Sequence, residues 1–264
     1  MNSMSARELF EEGRLAAAIQ AQRNGLSERP ADVDARLFLG ELLLYSGEIA
    51  EVQTLLNDCP CDLAGMAEFL AGYRLLLDAA AKRQRLSIDT QPLFLLEPPE
   101  HLALRVGVLQ QLRKRRFVKA TDLLDEADAA TPWLAGHIDG REFDGVRDGD
   151  DLFGPILELF VEDRYVWFPF EQIQRLRIGK IETLRDRLFV PAHLRALSGE
   201  EWTVHLPALY PQSHADAEPD IQLGRATDWH AEKNGPILGK GLHMLTFGDE
   251  ELTLFDFTQW ERRA

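Results

Sequence analysis

Asp228 and His230 are the side chains whose types and spacing come nearest to acid–base chemistry in this sequence. A carboxylate and an imidazole within hydrogen-bond reach can transfer a proton, and residues two positions apart project to the same side of a strand. Neither a Gly-x-Ser-x-Gly elbow nor a paired nucleophile accompanies them. We therefore expect Asp228 to cap a turn and Trp229 to pack into a β core. An enzyme site at Asp228 and His230 is kept as the alternative.

Three further segments resemble ligand sites but fail on spacing. Cys59-Pro-Cys61 has one intervening residue, whereas zinc half-sites have two to four. The acidic residues that alternate through 214–220 lack the glycine and the terminal glutamate of a calcium loop. Asn234–Gly241 lacks both the glycine spacing and the Ser or Thr of a phosphate loop. We therefore expect no metal, no cofactor and no catalytic residue.

The charge balance disfavours a nucleic-acid partner. The 264 residues carry a formal net charge of −15, and phosphate contacts need a concentrated basic surface. The basic run Arg113–Arg116 is short and lacks interleaved aromatic residues, so it is interpreted as a solvated turn at a helix end.

The sequence also gives an expectation for the cellular location of the protein. The sequence contains no apolar run of 18 or more residues, which disfavours a membrane partner, and its amino terminus lacks the pattern of a secretion signal. Its 2 cysteines exclude a disulfide scaffold at this size. A cytoplasmic protein is the expectation.

The elements that must position any site begin with a helical repeat. Gly13 and Gly47 lie 34 residues apart, and each is flanked by amphipathic segments typical of two antiparallel helices. Three such periods separate Ala18 from Ala120. Tetratricopeptide units have this period, and each hairpin must stack on its neighbours to bury its apolar face. Residues 1–135 are therefore predicted to form a tetratricopeptide-like α-solenoid.

The second half, residues 136–264, is predicted to be a small β-rich domain, so that the fold class is α+β. Residues 136–151, rich in glycine and acidic residues, are interpreted as its linker, and 210–240 as an irregular excursion. A short helix is expected at Thr183–Leu188. Strands are expected at Pro155–Val161, Tyr165–Phe168, Ile173–Ile178, Ala192–Leu197, Thr203–Leu206, His243–Phe247 and Leu252–Phe257.

A helical repeat of this kind predicts a groove that binds a peptide or helix. The first helix of each hairpin would line the concave face, with apolar anchors and flanking charges. Ten residues are assigned to that face: Leu37, Glu41, Leu44, Tyr45, Leu75, Asp78, Leu102, Arg105, Leu109 and Arg113. The dense aromatic residues between positions 153 and 170 are expected mostly in the core. Any that remain exposed would form a second protein-binding patch.

Several segments of the second half resemble a known family. Trp167–Ile173, Leu206–Ser213 and Leu223–Trp229 are similar to segments of the ImpE family, also called TagJ. Ile138–Gly140 and Leu188–Ala192 fit the same pattern. The segments occur in the family's order, and the resemblance covers nearly the whole chain.

The resemblance implies a non-enzymatic, cytoplasmic accessory protein of bacterial type VI secretion. Family members are associated with the contractile sheath through the amino-terminal helix of its small subunit. They are thereby linked indirectly to sheath recycling by an AAA+ unfoldase. The resemblance implies no catalytic residues.

The residues alone leave two other interpretations open. One is an enzyme with its site near Asp228 and His230, in which the solenoid recruits a protein substrate. The other is a purely architectural subunit.

Overall fold

The chain is helical in its first half and built from short strands in its second, which confirms the α+β class. The computed structural model describes residues 4–59 and 65–263. The helices are α1 (Ala6–Glu11), α2 (Leu15–Glu28), α3 (Val33–Tyr45), α4 (Ile49–Asn57), α5 (Met66–Gln84), α6 (Glu100–Arg113), α7 (Phe117–Ala129) and α8 (Pro219–Gln222).

Local signals place the helix ends. Ser5 caps α1 in a capping box with Glu8, which satisfies backbone N–H groups that a helix start leaves unpaired. The Asp32 side chain caps α3 by accepting a hydrogen bond from the backbone N–H of Ala35. Gly13 and Gly47, the residues that mark the repeat, have φ of +80° and +78°. Glycine adopts this left-handed conformation at little cost, and the predicted turns between paired helices are confirmed.

Small residues let the helices approach one another closely. Ala18 and Ala120, separated by three repeat periods in sequence, are both fully buried. A methyl group added at Gly40 of α3 would lie 3.3 Å from Cγ1 of Val52 in α4, so glycine suits this crossing. Consecutive helices from α1 to α5 pack side by side, and α6 packs on α7. The predicted hairpin repeat is therefore present, with α5 standing alone as the degenerate third unit.

Strands of the second half form one large sheet and two small ones. The strands are β1 (Ala135–Ile138), β2 (Arg141–Asp144), β3 (Val146–Asp148), β4 (Ile156–Val161), β5 (Arg164–Pro169), β6 (Ile173–Ile178), β7 (Phe189–Ala196), β8 (Glu201–Pro207), β9 (Thr227–Ala231), β10 (Ile237–Gly241), β11 (Leu245–Phe247), β12 (Glu250–Leu252) and β13 (Gln259–Arg262). The 8-stranded sheet has the order β2-β1-β13-β6-β7-β8-β4-β5. β9 pairs with β10, and β11 pairs with both β12 and β3.

The last strand lies inside the large sheet. β13 pairs antiparallel with β1 and with β6, so that Trp260 lies opposite both Ile138 and Leu176. Trp260 is 1% exposed and packs edge-on against Phe170 and Phe247. This strand is not among those predicted from the sequence, although it joins the two ends of the β-rich segment.

Residues 136–151 are not a linker, which corrects the prediction, because they carry most of β1 and all of β2 and β3. Their glycines and acidic residues serve tight turns and close strand contacts. Asp139 and Gly140 both have positive φ in the turn between β1 and β2. At Gly136, an added Cβ would lie 2.3 Å from the carbonyl oxygen of Glu261, so only glycine fits beside β13.

The remaining predictions have mixed outcomes. The strand at Ile173–Ile178 has the predicted bounds, and the other predicted strands before residue 250 overlap observed ones. The predicted helix at Thr183–Leu188 is wrong, because the Asp186 carboxylate accepts hydrogen bonds from the backbone N–H groups of residues 182 and 183 and holds a series of turns. The predicted strand at Leu252–Phe257 is also wrong, since β12 ends at its first residue. The segment 210–240 contains the β9–β10 hairpin.

The helices and the large sheet share one apolar core. All six residues of β4 are buried. Leu157 and Leu159 belong to a core on one face of the sheet, whereas Ile156 and Phe160 belong to a core that also contains residues of α1 to α7. The aromatic residues predicted to be core are confirmed as buried: Phe153, Phe160, Tyr165, Trp167, Phe168 and Phe170.

Candidate protein-binding site

The ten residues predicted to line an open groove do not form one, which corrects that expectation. Five are buried: Leu44, Tyr45, Leu102, Arg105 and Leu109. Leu37, Glu41 and Arg113 are half-buried, and Leu75 and Asp78 are exposed. The strand-rich half of the same chain covers most of the face. Glu41, for example, lies against Arg185 of the loop between β6 and β7. Burial raises the pKa of Glu41 above its ordinary value, although Arg185 opposes this shift.

Arg105 shows how the face is covered. Its side chain is 1% exposed, and its guanidinium donates to the carbonyl oxygens of Asp151 at 2.5 Å and Leu152 at 3.1 Å. It also pairs with the carboxylate of Asp128 on α7. Gly154 packs against this guanidinium, since an added Cβ would lie 3.1 Å from Nη2. Arg105 therefore holds the loop before β4 onto α6, so it is not available to a partner.

Arg113 has a similar role. Its Nε and Nη2 donate to the carbonyl oxygen of Leu86 at 2.9 and 2.6 Å, which fixes the end of α6 to the chain after α5. Lys114, Arg115 and Arg116 are exposed at the following turn. The interpretation of the basic run as a solvated turn is therefore confirmed for its last three residues and wrong for Arg113.

A buried group of charged side chains joins the two halves. We call Arg83, Asp148, Glu158, Tyr210 and His243 the ionic junction. The Arg83 guanidinium of α5 donates to both carboxylate oxygens of Glu158 in β4, with N···O distances of 2.8 and 2.5 Å. The two side chains are 13% and 1% exposed. A bidentate, desolvated pair of this kind fixes both distance and orientation between α5 and the sheet.

His243 lies between two carboxylates of the ionic junction. Its Nδ1 is 2.9 Å from Oδ2 of Asp148, and its Nε2 is 3.2 Å from Oε2 of Glu158, an ion-pair distance without hydrogen-bond alignment. The hydroxyl of Tyr210 donates to Oδ1 of Asp148 at 2.6 Å. Burial by itself favours a neutral imidazole, but the two carboxylates outweigh burial and raise the pKa of His243 to about 9. The imidazole is therefore charged at neutral pH.

The geometry of the ionic junction supports a structural tie between the two halves. Burial favours a protonated Glu158, yet Arg83 and His243 outweigh it and lower the pKa of Glu158 to about 2. The cavity beside Asp148, Glu158 and His243 has a volume of about 10 Å³. One water molecule needs at least that space, so no substrate fits. Sequence reasoning missed this cluster, although a glutamate inside the apolar run Ile156–Val161 was a signal for it.

The two residues of the alternative enzyme site lie two positions apart on β9. Asp228 and His230 are exposed on β9, and Asp228 accepts a hydrogen bond from the backbone N–H of Trp229 at 2.8 Å. Their cross-strand neighbours are Lys240 and Leu238. Trp229 packs beside the ring of Tyr210 but remains 41% exposed, so its predicted place in the β core is wrong.

Within residues 4–59 and 65–263, no group of three or more His, Cys, Asp or Glu side chains is arranged to hold a metal ion. Over the same residues, no helix has both the length and the apolar character to span a bilayer. Cys59 is buried, and Pro60 and Cys61 of the predicted structural pair lie outside the described residues.

A larger cavity opens where the first helices meet the strand-rich half. We call it the apolar cleft, and its volume is about 520 Å³. Of the predicted groove residues, Tyr45 lines it. The other lining residues are Phe10, Ile178, Gly179, Ile181, Arg187, Leu223, Gly224, Arg225, Leu254, Phe255, Phe257 and Thr258. Sequence reasoning could not assemble this set, because it comes from α1, α3, the end of β6 and three loops.

The apolar cleft combines aromatic walls with one available cation. Phe10 and Tyr45 stack edge-on with ring centroids 5.1 Å apart, and Phe255 is 40% exposed. Arg225 is already engaged, since its guanidinium donates to the last carbonyl groups of α1. Arg187 is exposed, and its guanidinium has no hydrogen-bond or ion-pair partner among residues 4–59 and 65–263. Such a cleft can accept apolar side chains together with a neighbouring carboxylate.

Comparison with known proteins agrees with this architecture. Residues 9–60 match a tetratricopeptide repeat, and residues 140–261 match the ImpE protein. The chain is 29% identical over 258 residues to the type VI secretion system accessory component TagJ of Pseudomonas aeruginosa, which covers 97% of this chain and 90% of that protein.

The fold also has a counterpart among solved structures. The crystal structure of a protein from Vibrio parahaemolyticus superposes with a TM-score of 0.90 at 21% identity, and the match covers 98% of this chain and 97% of that chain. At this identity the likeness shows the fold alone. The family match spans almost the whole strand-rich half, and the similarity to the Pseudomonas protein extends it through the helices. The chain is thus similar to the ImpE family over residues 140–261 and to the Pseudomonas TagJ component along nearly its whole length.

Proposed function

We propose that the protein is a non-catalytic accessory component of a bacterial type VI secretion system that acts in the cytoplasm by binding another protein. Its family, the name of its Pseudomonas relative and its helical repeat support this proposal. The observation that carries it is the apolar cleft, which places exposed Phe255 and unpaired Arg187 beside the repeat helices.

The partner we propose is the amino-terminal helix of the small contractile-sheath subunit. An amphipathic helix presents apolar side chains at i, i+3, i+4 and i+7, and about 520 Å³ accommodates several of them. An acidic side chain beside that apolar stripe would pair with Arg187. Through this contact the protein would act as an adaptor in sheath assembly or recycling, with only an indirect link to the AAA+ unfoldase.

Relocating the site to the apolar cleft follows from burial. A helix of another protein cannot contact Leu102, Arg105 or Leu109, because all three are buried within this chain. The apolar cleft keeps Tyr45 from the predicted set and adds residues from the strand-rich half. Both halves of the chain would therefore touch the partner.

Calorimetric titration with a peptide of that sheath helix, taken from the same organism, tests the proposal. Two variants change the apolar cleft, Phe255→Asp and Arg187→Glu. Two matched controls make the same kinds of change elsewhere. Leu197→Asp alters a side chain 52% exposed in the turn after β7, and Lys119→Glu alters an exposed cation in the first turn of α7.

We expect saturable binding by the wild type and at least tenfold weaker binding by each cleft variant, equivalent to about 1.4 kcal/mol or more. The controls should change the affinity less than twofold. Equal effects of cleft and control variants would move the site elsewhere. A wild-type protein that does not bind the peptide would overturn the sheath-helix proposal.

A further inference from the structure

Four basic side chains lie together on one face of the large sheet. Arg175 and Arg177 belong to β6, and His193 and Arg195 to β7. In the observed register Arg175 lies directly opposite Arg195, and Arg177 lies directly opposite His193. We call these four residues the arginine face.

The arrangement is unfavourable for folding alone. Like charges directly opposite each other on antiparallel strands destabilise the pair. In the same register Glu261 of β13 lies directly opposite Arg175, and Glu201 of β8 lies directly opposite Arg195. Two carboxylates therefore face three arginines, which leaves an excess of positive charge on this face of a protein whose net charge is −15.

The guanidinium groups of the arginine face keep most of their donors unused. Each guanidinium carries five N–H donors. Arg177 donates from Nε to Gln259 at 2.9 Å, and Arg175 reaches Glu261 at a distance of 3.5 Å. Arg195 lies 3.4 Å from Glu201, a loose and solvent-exposed pair. These contacts leave room for further carboxylates.

The surface is also concave. Together with Glu201, Trp202 and Thr203 of β8, the arginine face lines a depression of about 390 Å³. None of the residues that line the apolar cleft belongs to it. Ile178, which follows Arg177 in β6, lines the cleft, because successive strand residues point to opposite faces. The two surfaces can therefore act independently.

We propose that the arginine face binds an acidic, extended segment of a partner protein. Residues i and i+2 of a strand are about 7 Å apart, which is also the spacing of alternate side chains in an extended peptide. Carboxylates at alternate positions would therefore meet Arg175 and Arg177 in register. The whole-chain charge of −15 disfavours a nucleic acid at the same surface. This proposal does not rest on binding of the sheath helix.

Fluorescence anisotropy with a labelled octapeptide of alternating Glu and Thr tests the proposal on the full-length protein. A peptide with Gln in place of Glu is the ligand control. The double variant Arg175→Gln/Arg195→Gln removes two charges from the arginine face. The matched double variant Lys119→Gln/Lys233→Gln removes two exposed charges that have no hydrogen-bond or ion-pair partner in the described chain.

We expect saturable binding of the Glu peptide at about 20 mM salt, weakened at 150 mM because screening shortens the reach of exposed charges. The arginine double variant should bind at least tenfold more weakly. It should unfold at a temperature close to that of the wild type, since relief of the like-charge opposition offsets the loss of the weak pairs with Glu261 and Glu201. The lysine double variant should bind within twofold of the wild type. No wild-type binding, equal losses in both double variants, or equal binding of the Gln peptide would each overturn the proposal.

Discussion

Replacing Arg83 with alanine tests whether the ionic junction holds the helical repeat against the sheet. Arg83 and Glu158 are 13% and 1% exposed and share two hydrogen bonds. Arg83 also donates to the carbonyl oxygen of Leu209 at 2.8 Å. Removal of one partner leaves the other charge buried and unpaired, which typically costs about 3–5 kcal/mol. We expect Arg83→Ala to lower the free energy of unfolding by that amount.

The adjacent residue supplies a matched control. Lys82 also reaches from α5 to the β4–β5 hairpin, with Nζ 2.7 Å from Oδ2 of Asp163. These side chains are 45% and 47% exposed, and exposed pairs contribute about 0.2–1 kcal/mol. Lys82→Ala should therefore cost less than about 1 kcal/mol. The two variants differ in burial and not in the elements that they connect.

Urea unfolding at pH 7, followed by far-ultraviolet circular dichroism and by tryptophan fluorescence, measures both effects. The helical signal and the signal of the buried tryptophans report on the two halves of the chain, so coincident transitions indicate unfolding as one unit. If Arg83→Ala and Lys82→Ala differ by less than about 1 kcal/mol, the ionic junction does not stabilise the contact between the halves and the reasoning from burial is refuted.

Two further predictions concern pH and packing. The pKa of His243 is about 9 against an ordinary 6.5, so its contribution to stability is complete below pH 6.5 and lost as pH rises through 9, by up to about 3 kcal/mol. Urea midpoints measured from pH 6.5 to 9.5 should fall, and a flat profile would contradict a charged imidazole. Gly136→Ala should cost about 1–3 kcal/mol because its Cβ would meet the Glu261 carbonyl oxygen at 2.3 Å. Gly25→Ala in α2, with no atom within 4 Å of the added Cβ, should stabilise by about 0.5–1 kcal/mol. Thermal melts that rank these two variants in the opposite order would refute the packing argument.

The helical half could be predicted because its signals are local. Gly13 and Gly47 mark turns that depend on the backbone freedom of a single residue, and the buried alanines recur with the repeat. The strand Ile173–Ile178 was also predicted with its observed bounds, although its burial does not alternate strictly because the pairing register shifts between Ile173 and Arg175.

Strand pairing could not be predicted in this way. β13 lies between β1 and β6, which are respectively more than 120 and more than 80 residues away in sequence. Its four residues carry little pattern of their own, and their place depends on two partner strands being present. The linker prediction for residues 136–151 was wrong for a related reason. A glycine-rich segment has the same composition whether its glycines lie at close strand contacts or in a linker.

The sequence by itself determined the helical repeat, the α+β class and the family resemblance, since periodicity and short motifs are read along the chain. Only the tertiary structure decided which helix faces remain accessible. The burial of every residue of β4, including Glu158, means that both faces of that strand are covered, and the helices supply one cover. An apolar helix face can pack against a partner or against a sheet of the same chain, because burial of apolar area stabilises either contact. The chain's own strands and loops cover much of the predicted groove, and the apolar cleft and the arginine face are two surfaces that stay open.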